Sequence, residues 1–215
     1  MKNKIYPNGM ISRLTQYMKC IVQLRETGKI TVTSGEISAG TKINSAEVRR
    51  DLIYFGAKGK RGVGFSINDL LNSFDKVLGC GVKKVRMVLA GAGNLGRAIL
   101  NYKMLDKFGF KVEHVFDNNP KIIGSIVSDH KILDISCIKE TIKGKNTNIA
   151  ILAVPSRSAQ KVTDILVDAG IKVIINYTSV LVKVPPHVNV QANDPIEKLL
   201  HTLYYLSRTD YAEYK

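Results

Sequence analysis

Nowhere in this chain does an apolar run approach the ~18 residues needed to cross a bilayer. No apolar signal region follows the opening Met1-Lys2-Asn3-Lys4. These absences lead to the expectation of a cytoplasmic protein with no membrane partner. Cysteine is scarce: Cys20, Cys80 and Cys137 are odd in number and far apart. Without a C-x-x-C or a His/Cys cluster, they are expected to be reduced and mostly packed. The four histidines (His114, His130, His187 and His201) are scattered off metal-ligand spacing, so no metal site is expected. Acidic residues are the largest deficit. Eighteen Asp+Glu face 32 Lys+Arg, a net charge of +14, which points to a polyanionic partner such as nucleic acid. Residues 1–80 hold 13 cations and 6 anions, and residues 81–215 hold 19 and 12, so the excess per residue is greater in the N-terminal part. At 215 residues, 45% hydrophobic and 23% charged, the chain suits one large or two modest globular domains.

One stretch organises the rest. Val85 to Ala90 is an apolar run that reads as a buried parallel strand. Gly91-Ala92-Gly93-Asn94-Leu95-Gly96 follows, and Arg97 to Leu105 then has helical spacing of apolar residues. A second apolar strand, Phe110 to Phe116, ends in Asp117, 21 positions after Gly96. Strand, G-x-G-x-x-G, helix, strand and acid together form the context of a dinucleotide fingerprint. The glycines permit a tight turn and a close approach to a pyrophosphate, and the helix N-terminus favours its charge. Asp117, next to Asn118, is expected to accept from adenosine ribose hydroxyls, which favours NAD+ and NADH over their 2′-phosphorylated forms.

In chain order, Met10 to Glu26 is an amphipathic helix closed by Gly28. Thr31 to Thr33 is β-prone, and Ser34 to Ala39 is a short helix stopped at Gly40. Asn44, with Glu47 three residues on, is a capping-box pattern opening a third helix. That helix sets Val48, Leu52, Ile53 and Tyr54 on one face and Arg49 and Arg50 on the other, and Gly56 ends it. Helix, glycine turn and helix with a basic pair is a helix-turn-helix pattern. Lys58 to Ser66 holds three cations and three glycines and reads as a β-hairpin wing. Ser45, Arg49, Arg50, Lys58, Lys60, Arg61 and Gly62 are the candidate DNA-facing residues, with Arg61 suited to a narrow minor groove. A linking helix from Ile67 ends near Gly79-Cys80-Gly81, the expected domain boundary.

Beyond the fingerprint, helix and strand alternate. Ile126-Val127 follows Gly124-Ser125, and Ile135 to Lys143 reads as a helix. Asn148 to Val154 is a strand, and Ser156 caps a helix running to Ala169-Gly170. Ile171 to Ile175 and Val188 to Val190 complete a doubly wound parallel sheet. Ligands of such sheets bind at the carboxyl ends of strands, so Ala153-Val154-Pro155 and Asn176-Tyr177-Thr178 join the glycine loop as cofactor candidates. Asp194-Pro195-Ile196-Glu197 is a strong helix start, and the helix after it is more apolar than a solvated terminal helix needs. It packs on its own domain or on a second subunit. Two other functions remain open: a winged-helix regulator of another nucleotide such as coenzyme A, and an NAD-dependent dehydrogenase. Against the dehydrogenase, no residues are left for a substrate domain, and His187 is the only histidine between the later strands and the last helix.

The whole pattern resembles the Rex family of redox-sensing transcriptional repressors. Ile11-Ser12-Arg13-Leu14, Val48 to Gly56, Arg61-Gly62-Val63-Gly64, Gly91 to Gly96, Phe116-Asp117 and Ala153-Val154-Pro155 carry the resemblance. It implies an N-terminal winged helix-turn-helix domain (1–80), a Rossmann domain for NAD(H) (81–193) and a C-terminal helix exchanged between subunits of a homodimer (194–215). It implies no catalysis. Such a dimer is implied to bind a palindromic double-stranded operator when NAD+ is abundant and to leave it when NADH binds; the expected route is closure of the two Rossmann domains, which swings the winged helices out of operator spacing. Arg13, Tyr102 and Asp194 match positions that exchange polar contacts between subunits with the cofactor state. Pro195 stands where the family commonly has an apolar residue at the partner's nicotinamide pocket.

Overall fold

The computed structural model describes residues 6–78 and 85–209. The chain divides into two compact units, Met1–Lys83 and Lys84–Lys215. The expected boundary at Gly79-Cys80-Gly81 lies outside the described residues.

The first unit runs α1 (Asn8–Glu26), β1 (Thr31–Val32), α2 (Ser34–Thr41), α3 (Ser45–Tyr54), β2 (Gly59–Lys60), β3 (Gly64–Ser66) and α4 (Ile67–Leu78). Helices α1 to α3 and a small antiparallel sheet of order β1-β3-β2 form a winged helix, which α4 follows. On α1, Leu14, Tyr17, Met18, Ile21 and Val22 are buried at helical spacing and face the core. The helix begins two residues before the apolar pattern, because Pro7 supplies the first carbonyl, accepting from Met10 and Ile11.

Three local expectations are corrected. The capping box sits one helix earlier, at Thr33 and Glu36, where each side chain bonds the other residue's backbone N–H. At α3, Asn44 caps Ala46 N–H, while Glu47 turns to Arg13. Gly40 does not stop α2 but lies inside it, where a Cβ would stand 2.6 Å from the buried Cys20 Sγ. Lys42, in the left-handed region at φ 60°, ends that helix instead. On α3 the buried face is Val48, Asp51 and Leu52, whereas Ile53 and Tyr54 are exposed.

Glu36 gives a pH test of this unit. Its carboxylate accepts from the Lys29 ammonium, then from the Thr33 backbone and hydroxyl, which hold its pKa down at about 2. The ordinary value is ~4.3. A depressed folded pKa gives stability that is present above the ordinary value and is lost as pH falls towards 2. Urea titrations should find Glu36→Gln less stable than wild type at pH 6, with the difference vanishing by pH 2.

The second unit runs β4 (Val85–Ala90), α5 (Asn94–Leu100), α6 (Met104–Lys107), β5 (Phe110–Asp117), β6 (Ile126–Val127), β7 (His130–Asp134), a 3-10 turn (Ile135–Cys137), α7 (Ile138–Ile142), β8 (Ile149–Leu152), α8 (Ser156–Asp168), β9 (Val173–Asn176), β10 (Asn189–Ala192) and α9 (Pro195–Thr209). Its sheet has the order β10-β9-β8-β4-β5-β7-β6. Alternate residues of β4 feed two cores. Val88 and Ala90 join Ala159, Val162 and Leu166 of α8, while Met87 and Leu89 pack with Ile99 and Leu100 of α5. Burial on both faces explains why the strands read as continuous apolar runs.

Here too the structure differs in places. The sheet is parallel except at one edge, where β6 and β7 form an antiparallel hairpin. Its turn residues, Ser128 and Asp129, have φ of 47° and 65° without a glycine, so no turn signal marked them or the following strand. The expected helix Arg97 to Leu105 is split between α5 and α6, because the Asn101 side chain donates back to the Arg97 carbonyl. Ser156 is not the cap of α8. Pro155 takes that position, and the Ser156 hydroxyl bonds the Ser179 hydroxyl at 3.0 Å. Cys20 is buried as expected, but Cys137 is exposed, and Cys80 lies outside the described residues.

Candidate functional site

In the first unit, the candidate DNA-facing residues lie on α3 and the hairpin of β2 and β3. β1 and β3 pair with Val32 opposite Phe65, which leaves no room for a Cβ at Gly64. It would stand 2.5 Å from the Val32 carbonyl oxygen, and φ there is +92°. Gly59 lies against the ring of buried Phe65, so the hairpin is flattened onto its own aromatic residue. Between wing and helix is a cleft of about 500 Å³ lined by Arg49, Lys60, Arg61 and Gly62 together with Thr33, Ser34 and Ile53. Ser45, Arg50 and Lys58 are exposed but do not line it. Ile53, expected on the apolar face with Val48, Leu52 and Tyr54, is 58% exposed and borders the cleft, an apolar group placed among cations. One residue after Leu52 and five after Val48, it lies ~100–140° round the helix from the buried face.

A buried polar network fixes α3 to α1. The Arg13 guanidinium donates from Nε and Nη2 to Asp51 at 2.6 and 3.1 Å, and its Nη1 lies 3.2 Å from Glu47. The Tyr17 hydroxyl donates to Asp51 at 2.8 Å. Asp51 is 4% exposed and Tyr17 fully buried. Bonding to Asp51 raises the Arg13 pKa, and burial, then the same bond, raises that of Tyr17. Arg13 is thus bound inside its own unit. Asp51 was missed because an acid next to two arginines on a helix reads as a solvated charge.

In the second unit, three hydrogen bonds continue the ladder one residue past the strand ends. Gly91 N–H donates to Phe116 O, Ala153 N–H to Ala90 O and Tyr177 N–H to Leu152 O, each at 2.8–2.9 Å. They align the turns after β4, β8 and β9 at one rim. The chain leaves β4 for β5 on one side and returns to β8 on the other, so this rim is a topological switch point.

Each glycine of the loop has a different reason. Gly91 has φ +105°, and a Cβ would meet the Ala153 carbonyl oxygen at 2.2 Å. Gly96 would place a Cβ 2.0 Å from the Gly91 carbonyl oxygen. Gly93 is unlike both. Its φ of −71° suits any residue, and nothing lies within 4 Å of its Cβ position. Neither backbone nor packing calls for glycine there. What the missing side chain preserves is open space before the first turn of α5, where a pyrophosphate fits. Ala92 is buried, Asn94 and Leu95 are exposed, and Arg97 donates to the Ala92 carbonyl. Asp117 accepts from Ala92 N–H at 2.8 Å and Asn119 N–H at 2.9 Å. An ionised carboxylate has about four acceptor sites, so capacity remains for ribose hydroxyls. Asn118 is exposed beside it.

On the other side of β4 is a second cleft, of about 640 Å³. It gathers Leu95, Val154, Pro155, Tyr177 and Thr178 with Asp194, Pro195 and Lys198. Ala153 and Asn176 do not line it. Ala153 packs its carbonyl on Gly91, and buried Asn176 bonds Thr178 and the Val180 carbonyl, shaping the turn. Asp194 caps α9 by accepting from Ile196 N–H at 3.0 Å. Tyr102 is 59% exposed between α5 and α6. Among the described residues there is no cluster of His, Cys, Asp and Glu able to hold a metal, and no helix long and apolar enough to cross a membrane.

A family model described as a putative DNA-binding protein N-terminus matches residues 6–52, and one described as a CoA binding domain matches residues 82–180. The redox-sensing transcriptional repressor Rex of Rubrobacter xylanophilus is 41% identical over 213 residues, covering 99% of this chain and 98% of that protein. The chain belongs to the Rex family. Among solved structures, the Rex-family repressor RSP in complex with β-NAD+ and operator DNA is 32% identical with a TM-score of 0.81, covering 97% of this chain and 95% of that one. RSP in complex with β-NADH is 30% identical with a TM-score of 0.77, covering 97% of each chain. Rex proteins are redox-sensing transcriptional repressors, so this member is a regulator and not an enzyme.

Proposed function

We propose that this Rex protein is a cytoplasmic homodimer that holds a palindromic operator while NAD+ is abundant and releases it on binding NADH. The open space kept by Gly93 is the observation that carries the cofactor reading. Asp117 supports NAD(H) over coenzyme A, because a carboxylate at the adenosine ribose repels a 3′-phosphate. Bound NAD(H) supplies the redox signal as the charge on its nicotinamide. Gly91 to Gly96 hold the pyrophosphate, Asp117 and Asn118 the adenosine ribose, and the turns Ala153-Val154-Pro155 and Asn176-Tyr177-Thr178 frame the other half. No metal takes part. The domains are the winged helix to about residue 80, the Rossmann domain to 193, and an exchanged helix from 194. Moving the dimer from 1:99 to 99:1 between DNA-competent and closed states takes ~5.5 kcal/mol of differential binding, which two cofactor sites share. Fluorescence anisotropy on a palindromic operator is the test. NADH should release the DNA and NAD+ should oppose that release, whereas indifference to both would reject the sensor reading.

The DNA contacts come from Ser45, Arg49, Arg50, Lys58, Lys60, Arg61 and Gly62. Arg61→Ala should weaken operator and random DNA alike and reduce the slope of log affinity against log salt by ~1. Arg49→Ala should instead relax discrimination against a substituted base pair by ~1–3 kcal/mol. Competition titrations at several salt concentrations separate the two.

α9 supports the dimer. Ile196, Leu199, Leu200, Leu203 and Leu206 are each about half exposed or more, a continuous apolar face that a second copy covers. Light scattering should find wild type dimeric and Leu199→Asp/Leu203→Asp monomeric, with loss of operator binding. Arg13, Tyr102 and Asp194 are the proposed switch contacts between subunits.

A further inference from the structure

The two redox forms of the cofactor differ by one positive charge on the nicotinamide, so a sensor's preference depends on the charges around that ring. This inference rests on the cofactor reading above. The pyrophosphate loop lies at the end of β4, and Asp117 takes the adenosine ribose at the end of β5 on one side. The other nucleoside therefore falls across β4, over the ends of β8 and β9, into the cleft of about 640 Å³. Nearly all of the groups lining that cleft are neutral. Two of this chain's residues there carry charge, Asp194 and Lys198, four residues apart at the first turn of α9, which follows β10 directly and lies at this chain's own rim even where the rest of the helix is exchanged.

We propose that Lys198 is a specificity-determining residue that weakens NAD+ binding relative to NADH by placing an ammonium beside the nicotinamide cleft. A cationic ring meets repulsion from Lys198, and a neutral dihydronicotinamide does not. Asp194 acts in the opposite sense. Its carboxylate accepts from Ile196 N–H, so it is partly committed to the helix end. The positive end of the α9 dipole adds to the Lys198 side of the balance. A single exposed charge beside the ring changes affinity by a few-fold to about tenfold, not by orders of magnitude. Lys198 thus tunes the NADH/NAD+ ratio at which the repressor responds, without touching the loop that binds both forms.

The test is calorimetric titration of the full-length protein with NADH and with NAD+, for wild type, Lys198→Met and Lys198→Arg. Lys198 is exposed, so the variants should melt as wild type does. For Lys198→Met, NAD+ should bind about 3- to 10-fold more tightly with NADH within twofold, and the change should shrink as salt is raised. Lys198→Arg should keep the wild-type ratio. An unchanged ratio in Lys198→Met, or an equal change for both forms, would overturn the role of Lys198 while leaving the sensor reading intact. Failure of wild type to bind either form would overturn the sensor reading and this inference with it.

Discussion

Gly93→Val should abolish NADH binding at a stability cost of no more than ~1 kcal/mol, that of a valine at the N-cap of α5, and Gly91→Ala should do the reverse first, by weakening the fold. At Gly93 the backbone is extended and a Cβ meets only open space, so the protein tolerates a side chain. The ligand does not. Two or three N–H bonds to a charged pyrophosphate, at ~1.5–3 kcal/mol each, are lost when the backbone is shielded, a weakening of at least ~100-fold. At Gly91 an added Cβ carries both a left-handed backbone penalty of ~1–2 kcal/mol and a 2.2 Å overlap with the Ala153 carbonyl. Chemical denaturation should find Gly91→Ala several kcal/mol less stable. Equal loss of stability in both variants would mean that Gly93 serves packing, contrary to its surroundings.

Arg13→Ala should cost the winged-helix unit ~3–5 kcal/mol, because it strands the Asp51 carboxylate, 4% exposed, with the Tyr17 hydroxyl as its remaining bonded partner. Breaking one side of a buried pair is more damaging than removing both. Arg13→Met/Asp51→Leu should therefore recover much of the loss. The loss should also appear in operator affinity, since Asp51 anchors the helix that presents Arg49 and Arg50. Denaturation of the single and double variants forms a cycle. If Arg13→Ala cost less than ~1 kcal/mol, the bidentate pair would be an incidental surface contact. Any switch that recruits Arg13 to another subunit must first break this pair.

Where the chain follows a strong periodic signal, its sequence is enough to read the fold. The β4–α5–β5 unit, the helix-turn-helix and the wing were legible because apolar spacing, glycines and cations agreed on the type and order of the elements. What escaped was set by short-range geometry or by distant partners. The hairpin of β6 and β7 turns through Ser128 and Asp129, a pair without the glycine that marks a two-residue hairpin turn. Asn101 breaks a helix by bonding backwards. Gly40 looks like a helix stop, yet it is there to admit Cys20 from another helix. In the cleft between wing and α3 the cations were readable from composition and pattern, but the place of Ile53 at its border was not, since which apolar residues meet the core depends on how α3 is rolled against α1. That roll is set by Asp51, which bonds Arg13 and Tyr17, 38 and 34 residues away in the chain. Of the cofactor candidates, the glycine loop and Asp117 followed from spacing. The participation of Lys198 depends on where α9 starts, which no local pattern near the loop encodes.

The most direct test is to add NADH to the preformed operator complex of wild type and of Gly93→Val, following anisotropy at fixed salt. Wild type should leave the DNA as NADH rises, while Gly93→Val should stay bound to at least ~100-fold higher NADH, having the same operator affinity without cofactor. Release of both proteins at the same NADH concentration, or of neither, would contradict an account in which a dinucleotide seated at Gly93 controls the winged helix.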